Sequence, residues 1–392
     1  MKKNILLILV GLMVMAFQPV QAQPAALSHA AQMSLLTASP GQELYSVFGH
    51  SALRVVDPVT GKDEVYNYGT FDFDTPFFYY KFARGQLLYK LAVTTYDRFI
   101  WEYQHEGRAM YEQTLYLPRE QMLEIYAFLQ TNRLPENRYY AYDFFYDNCS
   151  TRLRDLIEEF VNPDWGHDPY PDREVTFRDM LKPYVNRLPW SRFGTDLALG
   201  LPADKVVSPW HAMFLPDEMF IAFSQARHPD GSALVEQVDV VLEETIGSVS
   251  ESRFTPVLIG WMIFLVGLAT MWRRRWSLWF DRFLFVSLGV MGLVIFFLWF
   301  ISEHHATNNN MNILWALPTH LYFILKTGLG KTTGFPRIYF RMIAVINFVL
   351  LALWLWIPQG FHPAFFPLIL LAGFKAFTYG FNFRSLKRKE SF

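Results

Sequence analysis

The chain has 392 residues, 52% of them hydrophobic and 18% aromatic, and its formal net charge is −1. With that balance no nucleic-acid partner is expected. A single cysteine, Cys149, excludes an intrachain disulfide framework.

Neutrality is an average of two unlike parts. Residues 254–392 carry 13 Lys and Arg against Asp281, Glu303 and Glu390, whereas residues 1–253 carry 22 against 33 acidic residues. The pattern reads as an acidic soluble domain followed by a membrane domain with basic loops.

At the N-terminus, Lys2 and Lys3 precede the apolar run "ILLILVGLMVMAF", and "QPVQA" ends at Ala22, a small residue suited to cleavage. Residues 1–22 are therefore expected to be a secretory signal peptide, and residues 23–253 an exported, periplasmic domain. Its first half reads as mixed α and β. "SALRVVD" and "EVYNYGTF" are β-rich runs joined by the turn-rich "PVTGK", the pattern of a hairpin. "RGQLLYKLAVTTY" and "MYEQTLYL" are further strand candidates. Pro118 opens an expected helix, "REQMLEIYAFLQTN", with Met122, Ile125, Phe128 and Leu129 on one face. The aromatic stretch "TPFFYYKF" at 75–82 suits either an interfacial surface or a core.

Cys149 lies in "YDFFYDNCSTRLRDLIEEFV". Leu153, Leu156, Ile157, Phe160 and Val161 follow it at helical spacing, so the thiol continues an amphipathic stripe at its N-terminal end, with Asp147 or Asn148 as the cap. A helix N-terminus favours thiolate over thiol, and Arg152 and Arg154 add cationic character nearby. The same stripe position also suits a buried structural cysteine. A nucleophilic thiolate needs a base, and His50 is the candidate because it follows Gly49 at a strand entry. A lone strand histidine is more often a structural hydrogen-bonding residue. Alternation puts His50, Ala52 and Arg54 on one face, and Asn67 on the second strand is the candidate for orienting the imidazole. Beyond residue 162 the domain is Pro-rich, with short helices expected in "TFRDMLKPYV" and "PDEMFIAFSQAR".

From Phe254 the hydropathy changes. "FTPVLIGWMIFLVGLATMW", residues 283–301, a weaker segment near 313–325 interrupted by Pro318 and His320, and segments near 339–357 and 363–382 make about five expected transmembrane helices. With residues 23–253 outside, Arg273–Arg275, Lys331 with Arg337, and "RSLKRK" all fall on the cytoplasmic side. The positive-inside rule thus agrees with the signal peptide, and a multi-pass inner-membrane protein is expected. The loop "SEHHATNNNMN" at 302–312 then faces the exported domain. Adjacent His304 and His305 do not supply an i, i+4 ligand pair, so no metal site is expected there; no cofactor is expected either.

The motifs "YSVFGHSALRVVD" and "FFYDNCSTRLRDLIE", followed by a multi-span C-terminus with "SEHHATNNNMNILWALP", resemble the Lnb-type lipoprotein N-acyltransferases of Bacteroidota. The resemblance covers nearly the whole mature chain. It implies an α+β fold with a circularly permuted NlpC/papain-like cysteine-enzyme domain at 23–253, then an all-α membrane domain at 254–392. In such a permuted domain the His-bearing strand precedes the Cys-bearing helix, as His50 precedes Cys149. The implied activity is acyl transfer from a membrane phospholipid, through a Cys149 thioester, to the N-terminal amine of a diacylglyceryl-cysteine lipoprotein. Asn148, Arg152, His304, His305, Asn310 and Asn312 are the candidates for contacting substrate; the alternative for the loop residues is solvation at the membrane surface. The family's usual loop has a single His-Pro where this chain has His304 and His305 and no proline, so either histidine answers to it. Two other classes compete: a membrane-anchored cysteine peptidase, amidase or phospholipase of the envelope, and a non-enzymatic assembly or sensor protein with a structural Cys149.

Overall fold

Asp57 closes the first hairpin. Its carboxylate accepts hydrogen bonds from the Val59 and Thr60 N–H groups and from the Ser28 N–H and hydroxyl at 2.6–3.4 Å, and Gly61 completes the turn at φ +71°. This hairpin organises a seven-stranded sheet in the computed structural model, which describes residues 27–381 apart from 44, 167, 246, 248–252 and 328–333. The strands are β1 (Gln32–Ala38), β2 (His50–Asp57), β3 (Lys62–Thr70), β4 (Leu88–Thr95), β5 (Met110–Leu115), β6 (Tyr139–Ala141) and β7 (Val235–Leu242). Their order is β6-β4-β3-β2-β1-β5-β7, with every pairing antiparallel. The expected hairpin is β2 and β3, in the register Leu53↔Tyr66 to Asp57↔Lys62.

Helices α1 (Phe78–Arg84) and α2 (Tyr96–Glu106) flank β4, α3 (Arg119–Asn132) follows β5, and α4 (Cys149–Phe160) follows β6. Alternation along the central strands divides two cores. Leu53, Val55, Tyr66 and Tyr68 pack against α3 and α4 through Ile125, Leu129, Leu153, Leu156 and Ile157. On the opposite face Ala52 and Val65 meet Phe99 and Tyr103 of α2. Each fully buried apolar side chain of this size contributes roughly 1.5–3 kcal/mol of transfer free energy, which holds α4 flat on the sheet. The expected face of α3 is corrected at one position: Tyr126 is buried beside Met122, Ile125 and Leu129, while Phe128 is mainly at the surface, against Phe160. Helices α5 (Phe177–Val185), α6 (Pro189–Ala198) and α7 (Pro216–Gln225) complete the domain, and Phe177, Met180 and Leu181 of α5 pack on Phe145 and Phe214.

The C-terminal part is helical: α8 (Pro256–Ala269), α9 (Arg274–Phe300), α10 (Thr319–Thr327), α11 (Phe335–Ala352) and α12 (Phe365–Gly380). Residues Arg275–Phe300 and Phe335–Ala352 are long and apolar enough to cross a bilayer, and α8 and α12 are shorter apolar helices. The expected third span is the short one. Helix α10 starts only after Pro318, and single 3₁₀ turns at His305–Thr307 and Met311–Leu314 precede it. One fully buried ion pair ties α9 to α12: Lys375 Nζ lies 2.7 Å from the Asp281 carboxylate, which also accepts from Tyr379 Oη and Ser277 Oγ. Removing one member of such a pair strands a charge in an apolar interior at a cost of about 3–5 kcal/mol. The expected signal peptide, Lys331 and the "RSLKRK" run lie outside the described residues.

The two parts interlock through backbone groups. The Gly200 N–H donates to the Ala306 carbonyl at 2.9 Å, and the Gly360 N–H donates to Asp204 Oδ1 at 2.9 Å. Asp204 is itself paired with the buried Arg178, which also pairs with Asp196. A Cβ on Gly200 would run into the Asn308 carbonyl oxygen. Gly200→Ala is therefore expected to lift the 305–312 loop from the end of α6 at a cost of about 1–3 kcal/mol, read as a lower thermal midpoint of the full chain in detergent. A midpoint equal to that of the unsubstituted protein would reject this interlock.

Candidate active site

Helix α4 begins at Cys149 because Asn148 satisfies its first donors. Asn148 Oδ1 accepts from the Ser150 and Thr151 N–H groups at 2.8 and 2.9 Å, while Thr151 Oγ1 accepts from the Asn148 N–H at 2.7 Å. The Asn148 Nδ2 amide donates to the Phe144 and Phe214 carbonyls, so the cap is also anchored to the cluster that α5 forms with Phe145 and Phe214. Cys149 is thereby fixed as the first helical residue, half-buried, with its side chain at one end of the sheet.

His50 opens β2 at that same end. Gly49 before it takes φ +81°, and a Cβ there would lie 2.9 Å from the Ala38 carbonyl, so the backbone can turn into the strand only as glycine. His50 Nε2 donates to Asn67 Oδ1 at 2.6 Å, the tautomer that fits an accepting carboxamide oxygen. His50 and Cys149 are hydrogen-bonded to each other as well. Tyr103 lies nearly parallel to the imidazole, with ring centroids 6.4 Å apart. Gly69, at φ +84° in the bulged end of β3, passes over the pair, and a Cβ there would lie 3.5 Å from Cys149 Cβ and 3.9 Å from His50 Cε1.

The electrostatics follow from these contacts. Burial pushes the Cys149 thiol up, but the charge of the adjacent imidazolium offsets this. The hydrogen bond from His50, the Ser51 N–H and the Ser150 hydroxyl act in the same direction, so the thiol titrates below its ordinary range. Burial pushes His50 down, and the thiolate's charge and hydrogen bond, together with Asn67, carry it above its ordinary value against a smaller opposing effect of Arg108. The two shifts are reciprocal, each group favouring the charged form of the other.

The structure thus brings Cys149, His50 and Asn67 together. Residues 21–182 match the family of the Lnb N-terminal periplasmic domain, and residues 248–387 match that of the Lnb transmembrane domain. The chain belongs to the Lnb family. It is a membrane protein with a periplasmic domain ahead of a transmembrane domain, in the order already visible in its charge distribution. No curated protein and no solved structure matches the chain.

The structure places the other expected substrate contacts of this Lnb-type protein as follows. Asn148 is spent on the cap. Arg152 is held by Asp147 in a bidentate pair at 2.5 and 2.7 Å and lies over the Tyr140 ring, so its charge is neutralised in place; Arg154 is likewise held by Asp155 against Trp210. Asn310 and Asn312 are fully buried: their amides donate to the carbonyls of Asp196, Leu197 and Ala198 and their oxygens accept from Gln359, Trp315 and the Asn312 N–H. They brace the two domains and offer no open polar atom to a ligand. His304 is half-buried and its Nε2 bonds the Phe82 carbonyl at 2.7 Å, while His305 packs edge-on to Tyr146, three residues before the thiol. Among the described residues no group of three His, Cys, Asp or Glu is placed to hold a metal ion.

Four residues at the site carry no mark in the sequence. Tyr142, beside Cys149, is pushed far up by burial and then by the thiolate's charge. Ser51 and Ser150 face each other at 3.2 Å beneath the sulfur, and Tyr103 reaches His50 from a helix that the sequence patterns did not indicate. Only their proximity in the fold identifies them.

The paired shifts set the reactivity of the thiol. Alkylation of Cys149 by iodoacetamide is expected to stay fast near neutral pH and to fall only as pH drops through the lowered thiol value. In His50→Ala the imidazolium is lost and burial is opposed only by the Ser51 N–H and the Ser150 hydroxyl, so the thiol rises; thiolate at neutral pH then falls about tenfold for each unit of that rise. Matching pH profiles for the two proteins would contradict the ion pair.

Proposed function

We propose that this Lnb-type protein is a lipoprotein N-acyltransferase of the inner membrane, with Cys149 as nucleophile, His50 as base and acid, and Asn67 holding the imidazole. The observation that carries the reading is the Cys149–His50–Asn67 array inside a chain whose two parts both match Lnb domains. We infer further that the periplasmic domain is a circularly permuted NlpC/papain-like fold, since the His-bearing strand precedes the Cys-bearing helix in the chain.

In the first half-reaction the Cys149 thiolate attacks an ester carbonyl of a phospholipid. The Cys149 N–H is at the helix start, where no intrahelical carbonyl can reach it, and it is placed to donate to the developing oxyanion; one such donor is worth about 3–4 kcal/mol. The carbon–oxygen ester bond breaks, the imidazolium of His50 gives its proton to the departing oxygen, and a lysophospholipid leaves an acyl thioester on Cys149. In the second, the neutral N-terminal amine of a diacylated lipoprotein attacks that thioester, His50 accepts the amine proton, and the thiolate leaves. The products are an amide on the lipoprotein and the starting ion pair.

The same array serves a cysteine peptidase or, with water as acceptor, a phospholipase. The membrane domain favours the lipid reading, because a peptidase needs no more than a single anchor. Mass spectrometry of the purified protein after incubation with phospholipid vesicles separates the classes. An acyl adduct on Cys149, discharged by a diacylated lipopeptide amine, is the expected result. Discharge by water alone indicates a phospholipase, peptide cleavage without an adduct a peptidase, and an inert thiol a binding role. In cells lacking other N-acylating enzymes, Cys149→Ser is expected to leave lipoproteins without the N-linked chain. Lipoproteins that keep it in that strain would overturn the mechanism.

A further inference from the structure

Helix α1 buries none of its residues. In a domain with two well-packed sheet faces, the stretch "DTPFFYYKFAR" leaves Phe77 and Tyr79 each 81% exposed, with Phe73, Tyr80 and Phe82 also outside. A lone exposed aromatic needs no explanation, but five within ten residues form a patch of the kind that marks an interaction surface. Its position indicates what covers it. The Arg84 carbonyl accepts from the Glu303 N–H at 2.8 Å, the Phe82 carbonyl meets His304 Nε2 at 2.7 Å, and Gln86 Nε2 donates to Glu303. Glu303 and His304 follow closely on Phe300, the end of the long apolar helix α9. The last turn of α1 is therefore pinned at the level where a membrane span emerges, the depth preferred by Phe and Tyr rings. Lys81 adds a positive charge suited to lipid phosphate.

From this patch a run of rings leads inward. Phe78 lies 5.7 Å from Phe71, Phe71 5.3 Å from Tyr89, and Tyr89 stacks on Tyr142 at 4.3 Å. Tyr142 is beside the thiol: Tyr142 Cε2 and Cys149 Cβ lie 3.9 and 3.5 Å from the point where a Cβ on Gly69 would sit. Each ring of the run is within 5.7 Å of the next.

We propose that residues 71–85 seat the periplasmic domain in the outer leaflet of the lipid bilayer, and that the rings of Phe78, Phe71, Tyr89 and Tyr142 form the surface along which a phospholipid acyl chain reaches Cys149. The docking stands on the geometry alone; the acyl track rests on the acyl-transfer reading given above. The rings hold the chain while the ester carbonyl comes to the sulfur, so binding energy remote from the reacting bond is used to place it.

Two measurements test the parts separately. Cys149→Ser removes the chain's only cysteine, so a single fluorophore can be attached at Tyr79→Cys, or at Val59→Cys in the β2–β3 turn. That turn lies at the opposite end of β3, a nine-residue strand, roughly 30 Å away. In vesicles whose lipids carry a nitroxide high on the acyl chain, quenching is expected to be several-fold stronger at position 79 than at 59. Equal quenching would overturn the docking, whatever the chemistry. With Cys149 present, Phe78→Ser is expected to slow acyl-adduct formation from vesicles at least about tenfold, while iodoacetamide still alkylates the thiol at close to the usual rate. Equal adduct formation in the two proteins overturns the track. If the unsubstituted protein forms no adduct at all, the acyl-transfer reading fails with the track, and the quenching comparison still judges the docking.

Discussion

The contact between the Cys149 sulfur and the His50 imidazole depends on two chain elements ending at one place. Asn148 decides where α4 starts, and Gly49, by admitting a positive φ, decides where β2 starts. Neither residue reacts with anything, yet a slip of either element by one residue would turn the thiol or the imidazole to another face. Buried Leu153, Leu156 and Ile157 give α4 one rotation on the sheet, and the Asn67 hydrogen bond gives the imidazole one orientation. The pair is thus preorganised by packing on one side and by a strand-to-strand hydrogen bond on the other.

Antiparallel pairing also fixes which way the site looks. His50 begins β2, Thr70 ends β3, Leu88 begins β4 and Ala141 ends β6, so these residues share one edge of the sheet. Helix α1 leaves from that edge. So does the segment after β6 that carries Tyr142 and Cys149, and so does the chain after Leu242 on its way to the membrane helices. A domain of this topology can have its thiol at the edge facing the bilayer without any further device. The brace between Gly200, Asn310, Asn312 and Gln359 and the tie between α1 and Glu303 then keep that edge from tilting away.

Much of this could be read from the residues, for identifiable reasons. The hairpin declared itself through alternation and a turn-rich connector, and α4 through a stripe at helical spacing with a capping residue ahead of it. Both signals are local, as is the charge contrast that separates the periplasmic domain from the membrane domain. The missing elements lacked such signals. β1 has six consecutive core residues, Met33 to Ala38, because both its faces are covered, and a strand buried on both sides does not alternate. β7 is an edge strand whose exposed Val238 and Val240 give no inward face. Asn310 and Asn312 read as a solvated loop by composition. Their amides are instead consumed by carbonyls at the end of α6, more than a hundred residues away in sequence, a relation that no local pattern encodes.

The division of labour within "HHATNNNMN" shows why composition misleads at a domain boundary. A helix end leaves its last carbonyls without intrahelical partners, and the carbonyls of Asp196, Leu197 and Ala198 at the end of α6 lie against the membrane domain, with Asp196 buried and the other two residues partly so. Side-chain amides are the economical donors there, because each supplies two N–H groups without adding a charge. The amides of Asn310 and Asn312 therefore serve the neighbouring domain's helix. His304 follows the same logic at the other side of the loop, where the Phe82 carbonyl in α1 takes its ring nitrogen. Polar density in a loop between two apolar segments is thus what a rigid joint requires, and rigidity of this joint is what a thiol fixed on the sheet edge needs if it is to stay at a constant depth above the lipid.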